Sequence, residues 1–296
     1  LLEKLMTETR NENTMDLDQM PVLDILKMMN QEDKGMVAAI EKELPKIEEA
    51  VKMAIHSFKN NGRLIYIGAG TSGRLGVLDA VECVPTFGSS PDMVQGIIAG
   101  GMKAIANAVE GAEDNTALGE SDLKEINVTE KDTVIGIAAS GRTPYVIGAL
   151  QYANSQRANT VSITCNTKAK MSEYGQVAIE LNTGSEVLTG STRLKAGSAQ
   201  KIVLNMISTT AMVGIGKVYQ NLMVDLKPTN YKLEERSKRI IMEATNVDYD
   251  TANDYFEQAN HHVKTAIVMI LLQCPYEEAV VKLAEGDGFV RNVLAK

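Results

Sequence analysis

Two short glycine loops carry the residue types best suited to holding an anion. Gly68-Ala69-Gly70-Thr71-Ser72-Gly73 follows an apolar run and satisfies G-x-G-x-x-G. Two hydroxyls beside open amides at a helix N-terminus make a cradle for an anion or a sugar. The same spacing suits a dinucleotide, which demands in addition an acidic residue about 20 positions on, at the end of the second strand. Here that strand ends Ile97-Ile98-Ala99-Gly100-Gly101, and Asp92 precedes it, so the dinucleotide reading loses its support. Ala138-Ala139-Ser140-Gly141-Arg142-Thr143-Pro144 repeats the arrangement at the end of a third strand. Thr143 is placed to cap the next helix and Pro144 suits its first turn. Ser140, the amides around Gly141, and Arg142 are then free to grip a phosphate with dipole and charge. An ordinary strand-to-helix turn would explain either loop alone. Two of them facing one crevice at strand C-termini predict a phosphorylated small ligand.

Other reactive side chains offer less. His56 lies among Met53, Ile55 and Phe58 and reads as a packing or surface residue. His261 and His262 are adjacent, so on a helix they point about 100° apart and cannot chelate as a spaced pair does. Cys83, Cys165 and Cys274 are widely spaced, as reduced thiols are. Cys83 neighbours Glu82, yet nothing near it marks a nucleophile. The Met residues fall mostly at helical spacing and serve as core filler. The acidic stretch from Glu110 to Asp122 reads as a solvated face.

The elements that must position the loops follow from periodicity. Apolar residues at three and four (Ile25, Leu26, Met29, then Met36, Ile40, Leu44, Ile47, Val51, Ile55) make residues 22–60 helical, with a stop at Asn60-Asn61-Gly62. Residues 63–67, 94–99, 133–138, 160–165 and 176–180 are short apolar runs of strand type. Helical stretches between them, such as 143–156, imply a mostly parallel five-stranded sheet covered on both faces. Residues 196–226 are apolar almost all round, as a helix buried in the core or an interface is. After Lys227-Pro228-Thr229 no strand-like run appears, and residues 231–296 read as short helices with stops at Asn246, Pro275 and Gly286-Asp287-Gly288.

Composition narrows the function classes. The 296 residues carry 30 Lys+Arg against 38 Asp+Glu, a formal charge of −8, with 44% hydrophobic and 4% aromatic residues. No basic block is present, which argues against nucleic acid as a partner. No apolar run reaches the roughly 18 residues of a membrane span. The opening LLEKLMTETR is not a basic stretch leading into a hydrophobic signal core, so a cytoplasmic protein is expected.

At the level of whole motifs the chain resembles a known family. The two hydroxyl-rich loops on a five-stranded parallel sheet look like the sugar isomerase (SIS) fold. Tyr66-Ile67-Gly68-Ala69-Gly70-Thr71-Ser72-Gly73-Arg74-Leu75-Gly76, with Glu82-Cys83 and Pro85-Thr86, resembles the N-acetylmuramic acid 6-phosphate etherases of bacteria. So do Ala108-Val109-Glu110-Gly111-Ala112-Glu113-Asp114, Ser140-Gly141-Arg142-Thr143-Pro144-Tyr145 and Asn221-Leu222-Met223-Val224-Asp225. Val84 departs from the Pro of the family's pattern, and Ala138 replaces a hydroxyl that related SIS proteins often carry. The resemblance implies a flavodoxin-like three-layer sandwich divided as 1–60, an N-terminal helical segment; 61–228, the phosphosugar-binding domain; and 229–296, a small helical domain. It further implies a homodimer, no metal and no nicotinamide, and phosphate held by Ser140 and Thr143.

The resemblance also implies the reaction: cleavage of a D-lactyl ether at C3 of the phosphosugar. An ether oxygen is a poor leaving group. In the open-chain sugar the C2 hydrogen lies beside an aldehyde and can be taken by a base, after which an acid can protonate the departing C3 oxygen. One base and one acid are required, and two carboxyl groups serve if their environments separate their pKa values. The family match selects the pair Glu82 and Glu113; Glu113 is assigned as the base and Glu82 as the acid, an assignment in which the roles could be exchanged or shared. Glu110 and Asp114 read as capping or packing partners. Local cations for a doubly anionic ligand are Arg74, Arg142, Arg193 and Lys195, with Glu186 a weaker candidate contact in the SIS-like segment 184–195. A non-catalytic phosphosugar sensor and an aldose–ketose isomerase are the alternatives. A sensor needs neither carboxylate, and an isomerase makes no use of an acid at C3.

Overall fold

The apolar runs become the strands of one sheet in the computed structural model, which describes residues 5–107, 109–228 and 230–295. Ala108 of the 108–114 motif and Thr229 of the break after Lys227 lie outside the described residues. Strands β1 (Leu64–Gly68), β2 (Val94–Ile98), β3 (Thr133–Ala138), β4 (Asn159–Thr164) and β5 (Val177–Glu180) pair in parallel in the order β2-β1-β3-β4-β5. β1 and β3 are buried along their whole length, which is why they read as unbroken apolar runs.

Six helices belong with these strands: α1 (Val22–Lys59), α2 (Gly70–Phe87), α3 (Lys103–Ala106), α4 (Thr116–Glu125), α5 (Pro144–Ser155) and α6 (Lys195–Val213). α1 buries Ile40, Ile47, Val51 and Phe58, and its Ser57 Oγ lies 2.8 Å from Thr133 Oγ1 at the foot of β3. It ends where the sequence stops it, with Asn61 in the left-handed region at φ 57°. α4 and α5 pack almost backbone to backbone. A Cβ on Gly119 would lie 2.0 Å from Tyr145 O, and one on Gly148 would lie 2.1 Å from Thr116 O.

The chain divides into two compact units, Leu1–Ala80 with Asp92–Ser208, and Val81–Pro91 with Thr209–Lys296. The first holds the sheet and a core that includes Ile65, Ile67, Val134, Tyr145 and Leu150. The second contains α7 (Tyr231–Thr245), α8 (Tyr249–Gln258), α9 (Val263–Leu272), α10 (Tyr276–Glu285) and α11 (Val290–Leu294). These helices close around Ile241, Phe256, Val263, Ile267 and Val290. Their stops match the sequence: Asn246 caps α7 at φ 59°, Pro275 precedes α10, and Gly288 takes φ 78°. One expectation is corrected. The helix expected over 196–226 ends at Val213, because Gly214 and Gly216 follow and Gly216 adopts φ 79°. Among the described residues no helix is long and apolar enough to cross a membrane.

Candidate active site

The strand order reverses between β1 and β3, and the two glycine loops leave the C-terminal ends of those neighbouring strands. Gly68 is paired with Ile137, one residue short of the end of β3. Open parallel sheets bind their ligands at such a switch point.

The first loop is shaped by close backbone approach. A Cβ on Gly73 would lie 2.6 Å from Gly68 O, so the strand end and the first turn of α2 can touch only with glycine there. Thr71, Ser72 and Gly73 therefore fall in that first turn, at the positive end of the helix dipole, and the Gly73 N–H donates to Ala69 O at 3.1 Å. Thr71 is half-buried, whereas Ser72 and Gly73 are buried.

In the second loop Gly141 takes φ 66°, its N–H donates to Ala138 O at 3.1 Å, and the Arg142 N–H donates to Ser140 Oγ at 3.3 Å. Pro144 occupies the first turn of α5, as expected. Thr143 stands at the capping position, but its side chain makes no cap hydrogen bond. That hydroxyl is thus not committed to the helix. Ser140, Arg142 and Thr143 are all half-buried.

Glu113 is an exposed residue in the turn before α4, and it borders a cleft of ≈ 240 Å³ together with Gly70, Arg74, Ala99 and Val109. Two contacts fix this cleft. Arg74 crosses it, its Nε donating to Ile105 O at 2.9 Å and Nη2 to Asn107 O at 3.3 Å. The Tyr145 N–H donates to Glu113 O at 3.0 Å, which ties the turn bearing Glu113 to the start of the helix that follows the second glycine loop. Tyr145 is itself anchored, its hydroxyl donating to Asp122 Oδ2 at 2.6 Å. Burial raises the Asp122 carboxyl, with the Tyr145 hydroxyl pulling the other way. Asp122 is therefore a packing partner rather than part of a wholly solvated acidic face.

The structure thus brings Gly70, Arg74 and Glu113 into one cleft. The other named loop residues do not border it. Glu82 is exposed on α2 and belongs to the second compact unit. Lys195 is buried, with its ammonium 2.8 Å from Glu32 Oε2, and the pair lines a separate polar cavity of ≈ 880 Å³ with Asn11, Asn13, Asn182 and Ser185. Glu186 is fully buried and commits both oxygens to the start of α6, accepting from Lys195 N at 3.1 Å and Ala196 N at 2.8 Å. Arg193 is exposed. Among the described residues no group of three or more His, Cys, Asp or Glu is arranged to hold a metal ion. Glu32 carried no signal in the sequence: it is one polar residue within a helical pattern.

The chain resembles known proteins along its whole length. Residues 46–154 match the family described as glucokinase regulatory protein N-terminal SIS domain, and residues 109–213 match the SIS domain. The chain is 66% identical over 296 residues to the N-acetylmuramic acid 6-phosphate etherase of Shouchella clausii, covering all of both proteins. It is 64% identical to the etherase of the same name from Bacillus cytotoxicus and 62% to that of Bacillus anthracis, in each case over 99% of this chain and 100% of the relative. A phosphoheptose isomerase from Francisella tularensis shares the fold, with a TM-score of 0.50 at 15% identity over 65% of this chain and 98% of that one.

Proposed function

The chain belongs to the N-acetylmuramic acid 6-phosphate etherases, and from that membership we propose that it is a carbon–oxygen lyase acting as a cytoplasmic homodimer in the recycling of cell-wall amino sugars. It converts N-acetylmuramic acid 6-phosphate and water to N-acetylglucosamine 6-phosphate and D-lactate. The observation that carries this reading is full-length similarity to etherases in a chain whose Glu113 borders a cleft at the sheet's C-terminal edge.

The steps follow from the side chains. Ser140, Arg142 and Thr143 hold the phosphate, with Gly141 shaping the turn between them, and the first turn of α2 (Gly70, Thr71, Ser72, Gly73) meets the sugar. Arg74 borders the same cleft as Glu113 and supplies positive charge for an anionic ligand there. In the open-chain form Glu113 takes the C2 proton, and its electron pair becomes the C2–C3 double bond. The C3–O bond breaks as Glu82 protonates the lactyl oxygen, so lactate leaves neutral at that oxygen rather than as an alkoxide. Water then adds at C3 of the unsaturated aldehyde, giving up a proton to the Glu82 carboxylate, while Glu113 returns its proton to C2. Nothing is oxidised or reduced overall. Support for a second copy comes from α1, where Val22, Leu26, Val37 and Leu44 are exposed along one helix face.

Incubation with N-acetylmuramic acid 6-phosphate and enzymatic detection of D-lactate is the direct test. Release of one lactate per sugar is expected. Binding of the sugar without lactate would instead favour the sensor, and a ketose product the isomerase.

A further inference from the structure

The segment before α1 is tied to the second glycine loop through one buried side chain that the elimination leaves without a role. Thr7 is 0% exposed and Asn166 is 2% exposed, and they meet across 159 residues of chain. The Thr7 N–H donates to Asn166 Oδ1 at 3.4 Å. Asn166 Nδ2 in turn donates to Thr7 Oγ1 at 3.1 Å and to Ala139 O at 3.0 Å. Main-chain groups stand at both ends of this amide, so its orientation is fixed by chemistry: a peptide N–H can only donate and a peptide carbonyl can only accept.

Ala139 O belongs to the peptide that opens the loop, whose planar unit also contains the Ser140 N–H. The same carbonyl accepts from Cys165 N at 2.9 Å, and Gly141 O accepts from Met171 N at 2.9 Å. Those two donors are main-chain groups, whereas the contact from Asn166 depends on its side chain. Two donors converging on Ala139 O hold the Ala139–Ser140 peptide in one plane. Because that peptide is trans, its Ser140 N–H points away from the carbonyl and the direction in which Ser140 leaves the strand is set.

We propose that Asn166 is a positioning residue for phosphosugar binding, holding the Ala139–Ser140 peptide so that Ser140 is presented to the phosphate, and that Thr7 makes the N-terminal segment part of this support. The inference rests on the reading of Ser140, Arg142 and Thr143 as the phosphate holder. It goes beyond that reading by giving a binding role to two buried residues that touch no ligand.

Kinetics on N-acetylmuramic acid 6-phosphate, with inhibition by the product N-acetylglucosamine 6-phosphate, test it in Asn166→Asp, Thr7→Val, Ser140→Ala and the double variant Asn166→Asp/Ser140→Ala. Asn166→Asp can still accept from the Thr7 N–H but sets an acceptor against Ala139 O. It is expected to raise KM and the product inhibition constant together, about tenfold, with kcat nearly unchanged. In the Ser140→Ala background the same substitution should add less, because its effect passes through Ser140. A residue that only stabilised the fold would lower the melting temperature and leave both constants where they were. Should Asn166→Asp fail to fold by circular dichroism, Thr7→Val decides, with a joint rise of about twofold to threefold expected. Unchanged constants in the folded Asn166→Asp or, in its place, in Thr7→Val, a loss confined to kcat, or additive penalties in the double variant overturn the role of Asn166 while leaving the phosphate loop in place. Unchanged constants in Ser140→Ala overturn the phosphate reading itself.

Discussion

Glu186 has both carboxylate oxygens on the amides of Lys195 and Ala196, where α6 begins. Burial raises this carboxyl, and the two amides pull it down again without cancelling the effect. The arrangement is a helix cap supplied from nine residues upstream. Glu186→Ala should therefore cost about 1–2 kcal/mol of stability in urea unfolding while leaving kcat close to wild type. A loss of kcat at unchanged stability would make it a substrate contact instead. This role was not legible in the sequence, because a capping acid normally stands within three residues of the helix start. Lys195 was equally opaque. Its place at a helix start suggested a cation for the ligand, whereas its partner Glu32 comes from a helix 163 residues away. By contrast, Gly73 and Pro144 were readable from local chemistry alone, since each fixes a backbone conformation without distant help.

Among the elements, the strands were legible because each is a short, largely apolar run that gives way to small or polar residues. The end of α6 was not, because apolar residues continue to Leu226 and hide the helix-breaking Gly214 and Gly216. The connection between β1 and β3 also depends on a pairing that only the fold shows. Asp132, at the foot of β3, accepts from Arg63 N at 2.9 Å, Arg63 Nε at 3.0 Å, Arg63 Nη2 at 2.7 Å and Thr129 N at 2.9 Å. Burial would push the Asp132 carboxyl up, but Arg63 and the Thr129 amide outweigh it and hold it below its ordinary value. A carboxyl lowered by folding contributes stability that is fully present above its unfolded pKa, about 3.9, and is lost as the pH falls through the folded value. Asp132→Ala is expected to cost about 3 kcal/mol at neutral pH by leaving Arg63 and the turn amides unpaired. Its penalty should shrink below pH 4, followed by urea midpoints across pH. A penalty that does not vary with pH would exclude the ion pair as its source.

At the scale of the molecule, two compact units each carry their own apolar core. In the second, Asp225 lies 2.8 Å from Lys264 and 3.1 Å from Lys217, and Lys264 also donates to Gly216 O at 2.7 Å. Burial lowers the Lys264 ammonium, and Asp225 partly restores it. Asp225→Ala should leave that ammonium uncompensated and destabilise the second unit by about 3–5 kcal/mol, seen as faster hydrogen exchange in α7 to α9 with the sheet's exchange unchanged. Uniform acceleration through both units would show that they unfold as one. The sequence expectation puts a boundary at 228/229, where Lys227-Pro228-Thr229 breaks the pattern, whereas the grouping of 81–91 with 209–296 joins segments far apart in the chain. The whole protein also carries −8, so a ligand with phosphate and carboxylate depends on cations gathered locally, such as Arg74 and Arg142. Everything in the catalytic reading turns on a division of labour between two carboxylates. Glu82→Gln and Glu113→Gln, incubated with N-acetylmuramic acid 6-phosphate in deuterated water, measure it directly. Glu82→Gln should lose D-lactate release by about a hundredfold or more while deuterium still enters at C2, and Glu113→Gln should lose both. Exchange abolished in Glu82→Gln but retained in Glu113→Gln, or lactate release undiminished in either variant, would contradict it.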